Sequence, residues 1–174
     1  MPLSLLAFSR LADRVSLWSG RIVAWLIIPM VLSLVYEVVA RYGFNAPTVW
    51  AYDMTYMLYG TFFMLGAAYT LRRDGHIRTD SFYGEWSPRR QGAVDAIGYL
   101  VFFFPPLLVL FWLGLDFFWR AFARGERVVS SPWMPVVYPL KGMIPLACGL
   151  LMLQGVSELI RSLHAARTGE WPAR

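Results

Sequence analysis

The side chains best suited to chemistry lie in one polar segment, where Asp74, His76 and Asp80 occur within seven residues. Carboxylates and an imidazole are ligand types for a metal ion. However, the segment contains a single histidine, and three arginines lie within the same stretch (72–80), which makes a poor cation site. A membrane enzyme acting on lipid through these three residues is the alternative chemistry, but the downstream glycine and paired aspartates of a phospholipid-headgroup transferase are missing. We therefore interpret the segment as a loop that hydrogen-bonds to its own helix ends or to another subunit.

Glu37 is the second candidate, because it is a carboxylate inside an apolar run. Charged residues within a membrane span are costly and often mark proton or ion pathways. One hypothesis is therefore a self-contained small transporter, a homodimer with Glu37 as its proton-coupled site. Glu37 lies near the outer end of its run, however, and Arg41 follows four residues later on the same helix face. Local pairing or a partner protein can satisfy such a charge, so we favour a structural role.

The composition indicates the kind of element that must position these residues. Of the 174 residues 57% are hydrophobic and 16% are charged, against about 25% charged in an ordinary soluble domain. A soluble domain of this size cannot bury so much apolar surface. A soluble enzyme, a disordered chain and a disulfide scaffold are thereby excluded, and the single cysteine, Cys148, cannot form an internal bridge.

Four continuous apolar runs predict an all-α integral membrane protein with four transmembrane helices in a single domain, 1–174. Continuous runs do not alternate as barrel strands do, so a barrel is excluded. Short interfacial helices are expected near the N-terminus and around 80–86. In the first of these, an apolar stripe from Leu5 to Val15 would face the membrane with Ser9 and Asp13 opposite, unless the segment is simply an extension of helix 1. The predicted helices are about 16–41, 48–72, 91–122 and 136–164.

Basic residues give the orientation. Eleven of the sixteen lysines and arginines lie in the N-terminal flank, the second loop and the C-terminal flank, and five lie on the opposite side. The positive-inside rule then places both termini and the second loop of this multi-pass membrane protein in the cytoplasm. Because the basic residues sit at the ends of apolar runs and form no separate patch, nucleic acid is not an expected partner.

The motifs of catalysis are missing from the sequence. It contains no nucleophile–base pair and no phosphate-binding loop, and its two histidines, His76 and His164, lie at helix ends rather than inside spans, where haem ligands would be needed. We therefore predict that the chain is not an enzyme and holds no cofactor or metal. A four-helix membrane protein of this kind most plausibly serves a larger partner.

Two motifs resemble a known family. The stretch from Glu37 to Trp50, followed by Asp53, resembles the helix 1–2 junction of the small membrane subunit of TRAP transporters, the DctQ-like family of tripartite ATP-independent periplasmic transporters. The stretch from Gly66 to Asp80 resembles the small-residue helix end and the Gly-His-hydrophobic-Arg-x-Asp loop of the same subunit. A Ser-Pro-Arg-Arg sequence at 87–90 follows, as it often does in that family.

This resemblance implies a small scaffold subunit of a sodium-coupled secondary importer of organic acids. Its partners would be a large membrane subunit (DctM-like), which carries the substrate and sodium sites, a periplasmic substrate-binding protein, and membrane lipids. The stretches 69–78 and 140–145 look like the branch associated with 2-oxo acids or related carboxylates. The resemblance also implies that the chain lies in the bacterial inner membrane. The candidates for subunit-interface or structural roles are Glu37, Arg41, Tyr42, Asn45, Pro47, Trp50, Asp53, Arg72, Asp74, His76, Arg78 and Asp80. Among them we expect an outer cluster (Arg41, Asn45 and Asp53) and an inner cluster (Arg72, Asp74, His76, Arg78 and Asp80) to hold the large subunit, unless both clusters only tie together loops of this chain.

Overall fold

The computed structural model describes residues 3–73, 75 and 83–172, and most of these residues lie in helices. The described ranges contain no β-strand, only one isolated antiparallel bridge between Arg127 and Val136. The helices, in chain order, are α1 (Leu3–Ala24), α2 (Ile27–Val38), α3 (Ala51–Arg72), α4 (Pro88–Gly98), α5 (Phe104–Ala123) and α6 (Tyr138–Thr168). The prediction of an all-α fold is confirmed.

Two of the long helices are each made of three segments. In the first helix, α1 and α2 are followed directly by a π-helical turn, Val39–Gly43. In the third helix, a π-helical turn at Tyr99–Phe103 joins α4 to α5. Three helices in the described part of the chain are long and apolar enough to cross a membrane, namely Ala7–Gly43, Pro88–Ala123 and Tyr138–Thr168. The predicted second span corresponds to α3, which is not among these three and carries four tyrosines, three threonines and Asp53.

Prolines explain the interruption of the first helix at residues 25 and 26 and the π-helical turn of the third helix. Pro29 has no N–H to donate to the carbonyl of Trp25, one turn earlier. That carbonyl instead accepts a hydrogen bond from the Ile28 N–H at 3.2 Å, and the helix is interrupted at residues 25 and 26. Pro105 and Pro106 likewise supply no N–H to the preceding turn, and this turn is π-helical, with the Phe104 N–H bonded to the carbonyl of Tyr99.

The last helix, α6, lies at the centre of the bundle and packs against α1, α3, α4 and α5. The first helix also packs along α3. The closest backbone approach involves Gly92 on α4, where a Cβ atom would lie 2.5 Å from the Ser162 carbonyl oxygen and 2.6 Å from the Ala166 nitrogen of α6. Glycine at this position lets the two helix backbones touch.

Large apolar side chains cover the outside of the bundle. Trp25 on the first helix is 71% exposed, and Phe102 and Trp112 on the third are 76% and 73% exposed. The buried apolar core is small and centres on Val23, Leu65 and Ala147. Apolar groups outside and small or polar groups inside are the pattern of helices whose surroundings are lipid or other apolar helices.

The N-terminal segment differs from the stripe pattern. α1 runs unbroken from Leu3 to Ala24, as in the helix-extension alternative. Ser9 and Asp13, expected on the polar side opposite the stripe, are buried. The pattern was wrong here because α6 presents a polar face that α1 packs against. Of the predicted interfacial piece at 80–86, residues 80–82 lie outside the described residues; in the described part, Tyr83 donates a hydrogen bond to Asp95 at 2.6 Å.

Candidate subunit interface and polar clusters

Glu37 closes the junction between the first helix and α3. One carboxylate oxygen accepts a hydrogen bond from Arg41 Nε at 2.7 Å, and the other accepts one from the Thr48 backbone N–H at 2.9 Å and one from the Thr48 hydroxyl. The Glu37–Arg41 pairing expected from the four-residue spacing is therefore present. Because both oxygens hold groups of the same junction, the arrangement ties the π-helical turn to the loop that follows it.

Other residues predicted in this junction point outward. The side chains of Arg41, Tyr42, Asn45 and Pro47 are exposed, with Tyr42 81% exposed. Asn45 adopts a left-handed conformation, with φ of 52°, which asparagine tolerates better than most residues. Trp50 packs its ring against Tyr36, with the ring centroids 5.6 Å apart. The junction thus has an internally bonded side at Glu37 and an exposed side open to a partner.

Asp53, in the first turn of α3, contacts the loop between α5 and α6 (124–137), which is the second outer loop of the predicted topology. Its carboxylate accepts a hydrogen bond from the Ser131 hydroxyl, and the Ser131 oxygen also accepts one from the Trp133 N–H at 3.2 Å. Asp53 was predicted to belong with Arg41 and Asn45 in one outer cluster. The contacts instead assign Asp53 to the 131–133 turn and Arg41 to Glu37.

Lys141 fastens the same loop to α6. It is 8% exposed, and its ammonium group donates hydrogen bonds to both carboxylate oxygens of Glu126, at 2.7 and 2.6 Å. The ammonium nitrogen also lies 3.8 Å from the ring centroid of Phe117 on α5. An amine buried at a helix start is stabilised here by a carboxylate and an aromatic face together.

The predicted inner cluster lies largely outside the described residues. Asp74, His76, Arg78 and Asp80 fall in the ranges that the structure does not describe, whereas Arg72 ends α3. The Gly75 N–H donates a hydrogen bond to the Thr70 carbonyl at 2.9 Å, which closes the C-terminus of α3. A Cβ on Gly75 would lie 3.0 Å from Thr70 Cγ2, so the tight helix exit predicted at this glycine is present.

A model of the family described as "Tripartite ATP-independent periplasmic transporters, DctQ component" matches residues 30–165. The chain belongs to this family. The search of curated proteins found no match to the chain. Membership identifies a DctQ chain as a component of a tripartite transporter, and it agrees with the resemblance carried by the helix 1–2 junction, which lies wholly inside the matched range.

The DctQ chain also holds a buried polar cluster that its sequence did not reveal to us. Arg161 on α6 donates to Asp13 on α1 and, at 3.0 Å, to Glu158 one turn away. Gln154 Nε2 bridges the same two carboxylates, with 3.0 Å to each. The Gln154 side-chain oxygen accepts a hydrogen bond from the Ser16 hydroxyl at 2.7 Å. All five residues are less than 9% exposed.

Helical spacing was the available signal for this cluster. Ser9, Asp13 and Ser16 lie on one face of α1, and Gln154, Glu158 and Arg161 lie on one face of α6. Each set is interpretable alone as a solvated face at a helix end. Only the packing of α1 on α6 shows that the two faces complement each other.

The buried cluster links α1 to α6 and does not form a cation site. Its own cation, the Arg161 guanidinium, already lies between the two carboxylates. Nowhere in the described ranges do three or more His, Cys, Asp or Glu side chains come together to hold a metal ion. The matched family range begins at Met30, so Asp13 and Ser16 precede it, while their partners on α6 lie within it.

Proposed function

We propose that this chain is the small, non-catalytic scaffold subunit of a sodium-coupled tripartite importer of organic acids. The proposal rests on family membership together with the distribution of side chains, in which charged groups are paired within the chain and apolar groups lie outside. Glu37, Lys141 and the buried cluster hold charges in contact with other parts of the chain, and apolar side chains cover the outside. Such a surface suits packing beside a larger membrane protein.

The proposed partners are a large membrane subunit, which carries the substrate and sodium sites, and a periplasmic binding protein that delivers the substrate. Carboxylates, including 2-oxo acids, are the proposed substrates because of the sequence resemblance at 69–78 and 140–145. The exposed side of the helix 1–2 junction, with Arg41, Tyr42 and Asn45, is the proposed outer contact with the large subunit. The polar loop at 72–80 is the proposed inner contact.

We propose four membrane spans in the inner membrane: the three long apolar helices and, in addition, α3. Its 22 residues correspond to about 33 Å, close to the roughly 30 Å hydrocarbon core of a bilayer. The lengths of the other helices support this placement: α6 has 31 residues, about 46 Å, so part of it extends beyond the bilayer. The basic-residue bias supports an extension into the cytoplasm, where Glu158 and Arg161 would lie at the inner boundary.

Cysteine labelling tests the orientation. With buried Cys148 replaced by serine, single cysteines at Phe44 and Val129, which are 76% and 83% exposed, should react with an impermeant reagent added to spheroplasts. A cysteine at Ser87 should react only after the membrane is opened. The opposite pattern would overturn the proposed orientation.

Reconstitution tests the scaffold function. Liposomes containing this chain alone should take up no carboxylate with a sodium gradient, whereas liposomes with this chain, its large subunit and the binding protein should do so. Uptake by the chain alone would refute the scaffold proposal and favour a self-contained transporter. Failure of the chain to co-purify with the large subunit would also refute it.

A further inference from the structure

A groove of about 500 Å³ opens between α3, the second outer loop and the start of α6. It begins beside the loop and extends along two turns of α3. Apart from Thr61 and Arg127, the side chains that line it are apolar, with methionine the most frequent. Its principal lining residues are Met57, Leu58, Trp133, Met134, Leu140 and Met143.

The lining restricts the kind of occupant. A peptide loop inserted into the groove would leave backbone N–H and C=O groups without partners, which is costly at membrane depth. A helix is about 10 Å wide with its side chains and needs a long open face rather than a pocket two turns deep. A hydrocarbon chain has no polar groups to satisfy, and flexible methionine side chains adapt to its shape.

The mouth of the groove carries positive charge. Arg127 lines it, and the only hydrogen bond that its guanidinium makes within the described residues is to the Met134 carbonyl, at 3.1 Å. Arg124, three residues earlier, is exposed and pairs with no carboxylate of the described chain. Of the neighbouring carboxylates, Asp116 pairs with Arg120 and Glu126 pairs with Lys141, whereas Asp53 accepts a hydrogen bond from the neutral Ser131 hydroxyl.

Met134 connects the apolar lining of the groove with the charged group at its mouth. It adopts a left-handed conformation with φ of 48°, which costs free energy for a side chain that is not glycine or asparagine. In this conformation the Met134 carbonyl accepts from Arg127 while its side chain lines the groove. The guanidinium is thereby held beside the opening with donors left for an anion.

We propose that this groove binds one outer-leaflet phospholipid with a net negative headgroup, with an acyl chain in the groove and the phosphate at Arg127. The groove is apolar inside and carries a cation at its mouth, just as such a lipid has an apolar acyl chain below an anionic phosphate. Arginine also suits a phosphate because its planar fork can donate two parallel hydrogen bonds. The site rests on the proposed membrane placement of the outer loop, and it adds a ligand to the proposed scaffold function.

Native mass spectrometry of the delipidated full-length chain, titrated with phosphatidylglycerol, tests the site. We expect one saturable lipid, and we expect Arg127→Gln to weaken its binding about tenfold, the loss typical of one charge-assisted contact. Arg127→Lys keeps the charge but cannot donate two parallel hydrogen bonds, so it should weaken binding less than Arg127→Gln does. Leu58→Trp, which fills the groove, should abolish it, and soluble glycerol phosphate should not compete, since the acyl chain is required.

Two control variants separate this site from lipid that merely surrounds the bundle. Arg120→Gln removes a cation already paired with Asp116, and Val109→Trp adds an indole to an exposed position on α5 outside the groove. Both should leave the titration unchanged. Equal loss in the controls, or no loss in Arg127→Gln and Leu58→Trp when circular dichroism shows them folded, would overturn the proposal. Co-purification of these variants with the large subunit measures the scaffold function separately, because the lipid titration uses this chain alone.

Discussion

Arg161 on α6 forms an ion pair with Asp13 on α1, 148 residues earlier in the chain. Its second hydrogen-bond partner, Glu158, lies on its own helix, so one guanidinium connects two buried carboxylates. The contact fixes the rotation and the height of α1 against α6, because neither carboxylate can leave without a desolvated charge remaining behind.

Removing this guanidinium should be among the most destabilising single changes in the described chain. We expect Arg161→Met to lower the free energy of unfolding by about 3–5 kcal/mol, since it leaves two buried carboxylates without their shared cation. Unfolding in mixed detergent micelles, followed by circular dichroism, measures the loss. The control Arg120→Met breaks an exposed pair with Asp116 and should have a much smaller effect. Additive effects of Asp13→Ala and Arg161→Ala in a double-mutant cycle would contradict a direct interaction.

The Lys141–Glu126 pair predicts an asymmetry between its two partners. The lysine side chain is 10% exposed and the glutamate side chain 43% exposed. Glu126→Gln strands a buried ammonium group, whereas Lys141→Met leaves a carboxylate that water can still solvate. We therefore expect Glu126→Gln to lower the unfolding midpoint more than Lys141→Met. Equal effects, or the reverse order, would show that the ammonium is not desolvated as described.

Glu37 should control the order of the junction that follows the first helix. Glu37→Gln weakens the contact with Arg41 and replaces one acceptor oxygen with an NH₂ donor, so Thr48 loses part of its anchor. We expect faster amide hydrogen exchange across 44–50 with the helix content unchanged. Thr48→Ser keeps the hydroxyl and the N–H and should exchange like the unmodified chain, whereas Thr48→Val should resemble Glu37→Gln in direction. Protection unchanged in Glu37→Gln would argue that other contacts hold the loop.

Gly92 and Gly98 on α4 offer a matched comparison. A Cβ on Gly92 would collide with the backbone of α6 at Ser162, whereas nothing lies within 4 Å of a Cβ built on Gly98. We expect Gly92→Ala to destabilise the bundle by about 1–3 kcal/mol through overpacking. Gly98→Ala should be neutral or stabilise by up to about 1 kcal/mol, because alanine favours helix. A neutral Gly92→Ala would indicate that α4 and α6 lie farther apart than described.

The helical fold could be predicted from sequence because each long apolar run is a local signal that needs no knowledge of neighbours. The Glu37–Arg41 and Asp116–Arg120 pairs were predictable for the same reason, since each lies within one helical turn. The π-helical turns were not predicted. Proline marks the region of a distortion but does not determine whether the helix breaks, as near Pro29, or widens, as before Pro105.

Contacts between distant helices were beyond sequence reasoning. Asp13 looked like a surface residue of an amphipathic helix, and only the position of α6 turns that face inward. Asp53 was grouped with Arg41 because both lie near the same membrane surface, yet its contact is with Ser131 of a loop 78 residues later. An amphipathic pattern identifies the polar face of a helix, but it does not show whether that face contacts water or the polar face of another helix.

The central position of α6 has a consequence for biosynthesis, because this helix is translated after all the helices that it packs against. The first and third helices leave the ribosome before their common neighbour exists, and Asp13 has no guanidinium to meet until Arg161 emerges. The first helix can already pack along α3, whereas the third helix must wait in the bilayer until α6 arrives. A message truncated before α6 would produce a chain whose third helix inserts without the neighbour that it packs against, and the membrane's quality-control proteases would encounter it in that state.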